Sequence, residues 1–420
     1  MNISKRKKKK EDHDEEQHII SCNIPDDMVI EILRRVPCQD LLENLTLVCK
    51  KWYTIINNGS FAYSHLEHTI KKSISFSQLK ALVISTSDGK SVTVSSLEWN
   101  NNFKDQPFGN LRSKPIDLFT IEYVSGTGIY QMLFQKANCL NGFVCFWSGH
   151  HARFHIYNSM TMEYITTPPN PYWRQDTRTI TGLGFCPISY EYKVVVVQRQ
   201  FQFGKPPSKQ GVNGSISTVN GYDQSWRSLK WNHSSLGPDG WSTACVNGIL
   251  YWCTKSIHHD PHHHKVKSDT TTLVAFDVAK EEFDLIEVPI ESLEDNVSIE
   301  EKAGKICLVT KTMCLNFSSI LFKGYIAHNN DDLGSLNSWM LEFSVTIYDH
   351  IYDGIEGVCH MIFTNEILIV DAGETMSFFD VETGKLLNEF QRSGLQASML
   401  IPYVPSLVAL HHYPIREKIT

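Results

Sequence analysis

NCLNGFVCFW (138–147) reads as two short strands joined at Asn141–Gly142. Asn-Gly is the pair that tight hairpins favour, because both positions must take positive φ. VNGILYW (246–252) repeats the pattern, with Asn247–Gly248 feeding a second aromatic strand. AFDVAKEEF (275–283) and FFDVETGKL (378–386) share a strand ending in Phe-Asp, a turn and a returning strand. The first pair of echoes lies 106 residues apart and the second 103. That distance fits two or more units of ~40–50 residues each.

Working outward, residues 75–408 are rich in Val, Ile, Thr, Phe, Tyr and Trp. Short apolar runs such as Ala81–Ser85, Phe154–Tyr157, Lys193–Gln198, Thr272–Asp277, Lys305–Val309 and Ile367–Asp371 are broken by Gly, Asn, Asp and Pro. This predicts an all-β domain. So many short strands exceed one simple sandwich. Radial repetition, as in a propeller, absorbs them without long exposed edges.

Residues 24–70 have a different period. Met28, Val29, Ile32, Leu33 and Val36 recur at helical spacing behind Pro25, Asp26 and Asp27. Pro37 ends that helix and Asp40 is a candidate cap for the next, whose buried face is Leu41, Leu42, Leu45 and Val48. Trp52, Ile55 and Ile56 continue the pattern. The reading is three short helices with too little core of their own, a unit that needs a partner surface. Residues 1–20 are a charged tail, in which Lys5 to Lys10 form a basic run followed by acidic residues. They are expected to be disordered, with the basic run a candidate nuclear import signal. Residues 409–420 form a second tail.

Of 420 residues, 42% are apolar and 20% charged, with a net charge of −7. That is globular composition, and an acidic body argues against a nucleic-acid-coating role. No run is long and apolar enough for a membrane-spanning helix, and no apolar core follows the basic run as in a secretory signal. Eleven cysteines without a CxxC pair point to reduced thiols, most of them small core residues such as Cys145, Cys245, Cys253 and Cys307.

The segment IPDDMVIEILRRVPCQDLLENLTLVCKKWYTII (24–56) resembles the F-box. It carries the apolar-Pro pair Ile24–Pro25, then Glu31–Ile32–Leu33, the second pair Val36–Pro37, and the close Val48–Cys49–Lys50 with Trp52. Ile24 stands where Leu is commoner. The large half resembles the F-box-associated domain of plant-type F-box proteins. The matching pieces are NCLNGFVCF (138–146), GLGFCP (182–187), Tyr192–Val195, Ser225–Arg227, VNGILYW (246–252), AFDVAKEEF (275–283) and Ser338–Met340. The resemblance implies a multidomain α plus all-β chain: a three-helix F-box over 21–68, then a large β-propeller-like domain over 75–408.

It also implies a non-catalytic substrate receptor of a Skp–cullin–F-box ubiquitin ligase, acting in the nucleus or cytoplasm. A Skp-family adaptor would be held by Ile24, Pro25, Met28, Ile32, Leu33, Val36, Pro37, Leu41, Leu42, Leu45, Val48 and Trp52, and would link the chain indirectly to the cullin scaffold. A protein target would be held by polar loops of the β domain, with Phe201, Phe203, Lys205, Trp241 and His258 as candidate contacts. No GxSxG, HExxH or P-loop occurs, so no catalytic residue or cofactor is assigned. HHDPHHH (258–264) is the one metal-like run, and no metal site is assigned to it, since nothing in the sequence fixes its ligands. A propeller enzyme or a small-ligand or metal-binding protein using His258–His264 is the alternative. Trp147, Trp226, Trp252 and Trp339 read as core.

Overall fold

The structure is a computed structural model. It describes residues 24–410 except 74–79, 87–90, 99–115, 123–137, 150, 175–176, 201–211, 222, 232–241, 255–270, 289–296, 303, 314–318, 331–332, 336–337, 349–359, 364–366, 372–374 and 392–396. The helical unit comes first: α1 (Asp26–Leu33), α2 (Cys38–Glu43), a 3-10 turn (Leu45–Leu47), α3 (Lys50–Ile56) and α4 (Gly59–Ser73). It has four α-helices where three were expected. The extra break is made by Asn58, whose Oδ1 accepts from the backbone N–H of Ser60 (2.9 Å) and Phe61 (3.3 Å) and so caps a new helix. Pro37, not Asp40, stands at the start of α2, and Asp40 lies within its first turn.

Twenty-four described strands follow in six four-stranded sheets. The first three are β1 (Lys80–Thr86), β2 (Ser91–Glu98) and β3 (Ile116–Glu122). Blade 1 is β4 (Asn138–Leu140), β5 (Phe143–Ser148), β6 (Arg153–Asn158) and β7 (Glu163–Thr166). Blade 2 is β8 (Thr177–Cys186), β9 (Glu191–Gln200), β10 (Val212–Thr218) and β11 (Arg227–Leu229). Blade 3 is β12 (Thr243–Val246), β13 (Ile249–Thr254), β14 (Thr271–Asp277) and β15 (Glu282–Val288). Blade 4 is β16 (Val297–Lys302), β17 (Lys305–Met313), β18 (Ser319–Ala327) and β19 (Trp339–Tyr348). Blade 5 is β20 (His360–Phe363), β21 (Ile367–Asp371), β22 (Thr375–Asp380) and β23 (Leu386–Gln391). Blade 6 is built from both ends of the β domain: β24 (Ala397–Pro402) pairs antiparallel with β1, giving the order β24-β1-β2-β3.

Each blade is an antiparallel meander. The first strands β4, β8, β12, β16, β20 and β24 touch in succession, and β24 returns to β4, which closes the ring. This is a six-bladed propeller. The pairing of β24 with β1 removes the open edge that a linear array of blades would leave.

The Asn-Gly turns are as expected. Asn141 and Gly142 have φ of 53° and 85°, and Asn247 and Gly248 have 50° and 82°. They open blades 1 and 3, so the sequence echoes skip one blade. A Cβ at Gly142 would overlap the side chain of Ser406, so glycine serves there for space as well as for φ.

Between blades 2 and 3 an ionic clasp, buried at Lys193 and open at Arg227, stands beside the apolar core. Lys193 Nζ donates to Val278 O (3.0 Å) and to Glu281 Oε1 (2.9 Å), and Arg227 grips both Glu281 oxygens at 2.6 and 2.8 Å. The Arg227 fork, helped by Lys193, pulls the Glu281 carboxyl down to about 2.

Candidate functional site

The helical unit sits on one end of the propeller. Its buried residues Val29, Leu33, Cys38, Leu41, Ile56, Phe61, Ala62 and Leu66 share one continuous core with Phe143, Trp147, Phe154, Tyr192 and Val194 of blades 1 and 2. Tyr63 of α4 packs against Phe185 and Tyr190, with ring centroids 5.8 and 5.5 Å apart.

Residues 403–410 form a strap through the same seam. Asn158 Nδ2 donates to the carbonyls of Ser406 (3.1 Å) and Val408 (2.7 Å), and Leu410 N donates to Glu163 Oε2 (3.0 Å). Tyr403 and Ser159 hydroxyls are hydrogen-bonded. On the helical side, Cys38 Sγ donates to Pro405 O (3.4 Å) and His65 Nε2 donates to Val36 O (2.8 Å). Burial lowers the His65 pKa. Ala409 and Leu410, placed in a terminal tail from sequence, are buried in the strap. A cavity of about 210 Å³ remains at the seam, lined by Leu42, Ile56 and Asn57, by Thr161 and Glu163, and by Leu407 and Ala409.

The seat divides the expected adaptor-contact residues into three groups. Leu33 and Leu41 have no exposed surface, being committed to the internal core. Val36, Leu42, Leu45 and Trp52 are half-buried against that core. Ile24, Pro25, Met28, Ile32, Pro37 and Val48 are exposed, with Met28 at 57% and Ile32 at 49%. Helix α1 is therefore apolar on two faces. Val29 and Leu33 face the core, while Met28 and Ile32 remain open. Leu47 (80% exposed) and Tyr53 (56%) extend the open surface. Sequence reasoning passed over both. An apolar residue between turn positions, like Leu47, or beside a helix stripe, like Tyr53, was the available signal. Lys51 and Asp26 form an ion pair that ties α3 to α1.

Topology makes the propeller's two ends unequal. The turns 141–142, 159–162 and 187–190, each leading from a first to a second or a third to a fourth strand, lie at the helical end. The connections from second to third strands and from blade to blade must leave from the opposite rim. Phe201, Phe203, Lys205, Trp241 and His258, with the whole 258–264 run, lie outside the described residues. Among the described residues no group of three or more His, Cys, Asp or Glu is placed to hold a metal. Trp147, Trp226, Trp252 and Trp339 are all buried. Burial pushes the Cys139, Cys245 and Cys253 thiols up to about 12, which keeps them protonated and unreactive.

Residues 81–323 match the F-box associated beta propeller domain family, more than half of the chain, and residues 21–62 match the F-box domain. The chain belongs to the F-box-associated β-propeller family. An F-box protein of Arabidopsis thaliana is 24% identical over 304 residues, covering 71% of this chain and 70% of its own. Another Arabidopsis thaliana chain, provisionally named as an F-box protein, is 23% identical over 310 residues, covering 71% and 67%. Among solved structures, a chain of a nidogen/laminin complex is similar at 9% identity and a TM-score of 0.38, over 77% of this chain and 99% of that one. The helical unit is accordingly the F-box, and the β domain is its associated propeller.

Proposed function

We propose that this F-box protein is a non-catalytic substrate receptor of a Skp–cullin–F-box ubiquitin ligase. The open F-box face docks on a Skp-family adaptor, which joins the chain to the cullin scaffold. The propeller presents a protein target from the rim opposite the F-box. The observation that carries this reading is the exposed apolar set Ile24, Met28, Ile32, Leu47, Val48 and Tyr53 on an F-box whose other face is already buried. Such a patch, left open on a chain of ordinary globular composition, marks a protein interface. Each side chain fully buried there contributes about 1.5–3 kcal/mol.

Capture of purified adaptor by the full chain tests it. Binding should be lost with Met28→Asp and Ile32→Asp, both of which leave the core untouched. Normal capture by folded variants would overturn the docking role. The site of action is nucleus or cytoplasm, supported by the Lys5–Lys10 run. Fusion of residues 1–20 to a reporter should concentrate it in nuclei, and Lys-to-Gln changes should abolish that.

A further inference from the structure

The chain enters and leaves the propeller through one pair of strands. β1 follows the F-box, six residues (74–79) beyond the end of α4, and β24 directly precedes the strap. The two pair antiparallel over six positions, from Ala81 opposite Pro402 to Thr86 opposite Ala397. The start of β1 and the end of β24 therefore lie side by side, and both lead to the F-box. Within its own sheet β24 is hydrogen-bonded only to β1, so this one ladder holds blade 6 closed.

Past β24 the chain has little slack. Pro402 and Pro405 fix φ at two of four successive positions. Tyr403, Ser406, Leu407 and Val408 are buried. The strap pairs with none of the described strands. Side-chain bonds replace a ladder: Cys38 Sγ of the F-box donates to Pro405 O, and Asn158 Nδ2 of blade 1 donates to the carbonyls of Ser406 and Val408. Val408 N donates to Ser406 Oγ (3.0 Å), and Ser406 fills the space that a side chain at Gly142 would need.

The inner face of the F-box depends on this segment. Val29 and Leu33 of α1 share one core with Leu407, Val408 and Leu410, and a helical unit of this size has too little core to hold its place alone. Lifting β24 off β1 draws a stiff strap out of that core. Unseating the strap frees the end of β24. Each opening exposes what the other exposes, and parts that open together behave as one cooperative unit.

We propose that residues 397–410 are a latch: closure of blade 6 and seating of the F-box are one cooperative unit, and release of either end loosens the other. Its bearing on docking rests on the receptor reading above. A target that clamps or spreads blade 6 changes how firmly the docking unit is held.

Amide hydrogen exchange of the full chain tests the latch. It is read by mass spectrometry on peptides from α1–α4, from β1 and β24, and from β13–β14 as a reference. Leu82 of β1 is fully buried but lies outside the core shared with the F-box, and Leu308 of blade 4 is equally buried. Leu82→Ala should speed exchange in the F-box about tenfold more than Leu308→Ala does. Asn158→Asp keeps the Oδ1 acceptor for the Met160 and Thr161 N–H groups but loses the donor to the strap. It should speed exchange in β1 and β24 and leave β13–β14 unchanged, because coupling between two sites is reciprocal. Should Leu82→Ala fail to fold, Leu82→Val replaces it, with Leu308→Val beside it. An F-box affected equally by both leucine variants, or a blade 6 indifferent to Asn158→Asp, would overturn the latch. Adaptor capture on the same preparations reads the other hypothesis. Its failure in the unaltered chain beside coupled exchange sinks the ligase reading alone, and its success beside uncoupled exchange sinks the latch alone.

Discussion

Ile32 and Leu33 are neighbours in one helix, similar in size and chemistry, and their situations are opposite. Leu33 is sealed in the core that joins the F-box to blades 1 and 2, while Ile32 is about half exposed on the other side of the helix. The contrast extends to the whole unit. Leu41, Ile56 and Leu66 belong to the inner face, and Met28, Leu47 and Tyr53 to the outer one. The teaching is that an apolar stripe does not say which surface it serves. A helix of eight residues can hold its own domain to the fold with one side and remain available to a partner with the other.

The sharpest way to break this contrast is to put a charge on each side in turn. Leu33→Asp strands a carboxylate in a closed apolar site and should cost roughly 4 kcal/mol or more. Thermal unfolding should show the whole molecule weakened and adaptor capture lost with it. Val408→Asp acts on the strap that shares the same core, and we expect about 3–4 kcal/mol by the same mechanism. A normal unfolding midpoint in either variant would refute the shared core.

Ile32→Asp should change the midpoint little, within about 0.5 kcal/mol as for other exposed positions, yet reduce adaptor capture at least about tenfold. Capture is read by pull-down and stability by calorimetry, so the two faces separate in a single pair of measurements.

The smallest effect is that of pH, and it acts on the buried side. His65 in the seat and His155 in blade 1 are both held neutral by burial, His155 at about 4. Unfolded, each returns to its ordinary value of 6.5. The unfolded chain then binds more protons than the folded one, so stability is complete above about 6.5 and declines as pH falls from there toward 4. Glu281 adds a lower window: its contribution is complete above 4.5 and disappears as pH falls toward 2. A midpoint that stays level between about pH 7 and 5, or a His65→Gln variant with an unchanged slope, would contradict this.

Much of the architecture could be read before any coordinates. The short apolar runs and the two Asn-Gly turns marked real strands and real hairpins, and the spacing of the echoes proved to be two blades. Blade number was hidden because only blades 1 and 3 open with Asn-Gly. Blade 2 uses Pro187–Tyr190 at the same place, and its apolar residues share cores with blades 1 and 3. The F-box was legible as helices but not as faces, since both sides of α1 are apolar and the choice between them is made by residues more than a hundred positions away. Three helices were expected rather than four because the stripe runs on through Ile55 and Ile56 up to the Asn58 cap of α4. The strap was divided in the sequence reading, residues up to 408 going to the strand-rich domain and Ala409 and Leu410 to a tail, because SLVAL (406–410) has the composition of a strand and yet pairs with none of the described strands.

That strap has a consequence for how the protein is made. Cys38 and the Pro405 carbonyl that it bonds are 367 residues apart. The ribosome therefore releases the F-box long before the residues that complete its seat, and also before β24 closes the ring on β1. A nascent or prematurely terminated chain would expose an F-box with its inner face still uncovered and its orientation undefined. The seat of the F-box is thus completed only after the whole six-bladed ring has been synthesised.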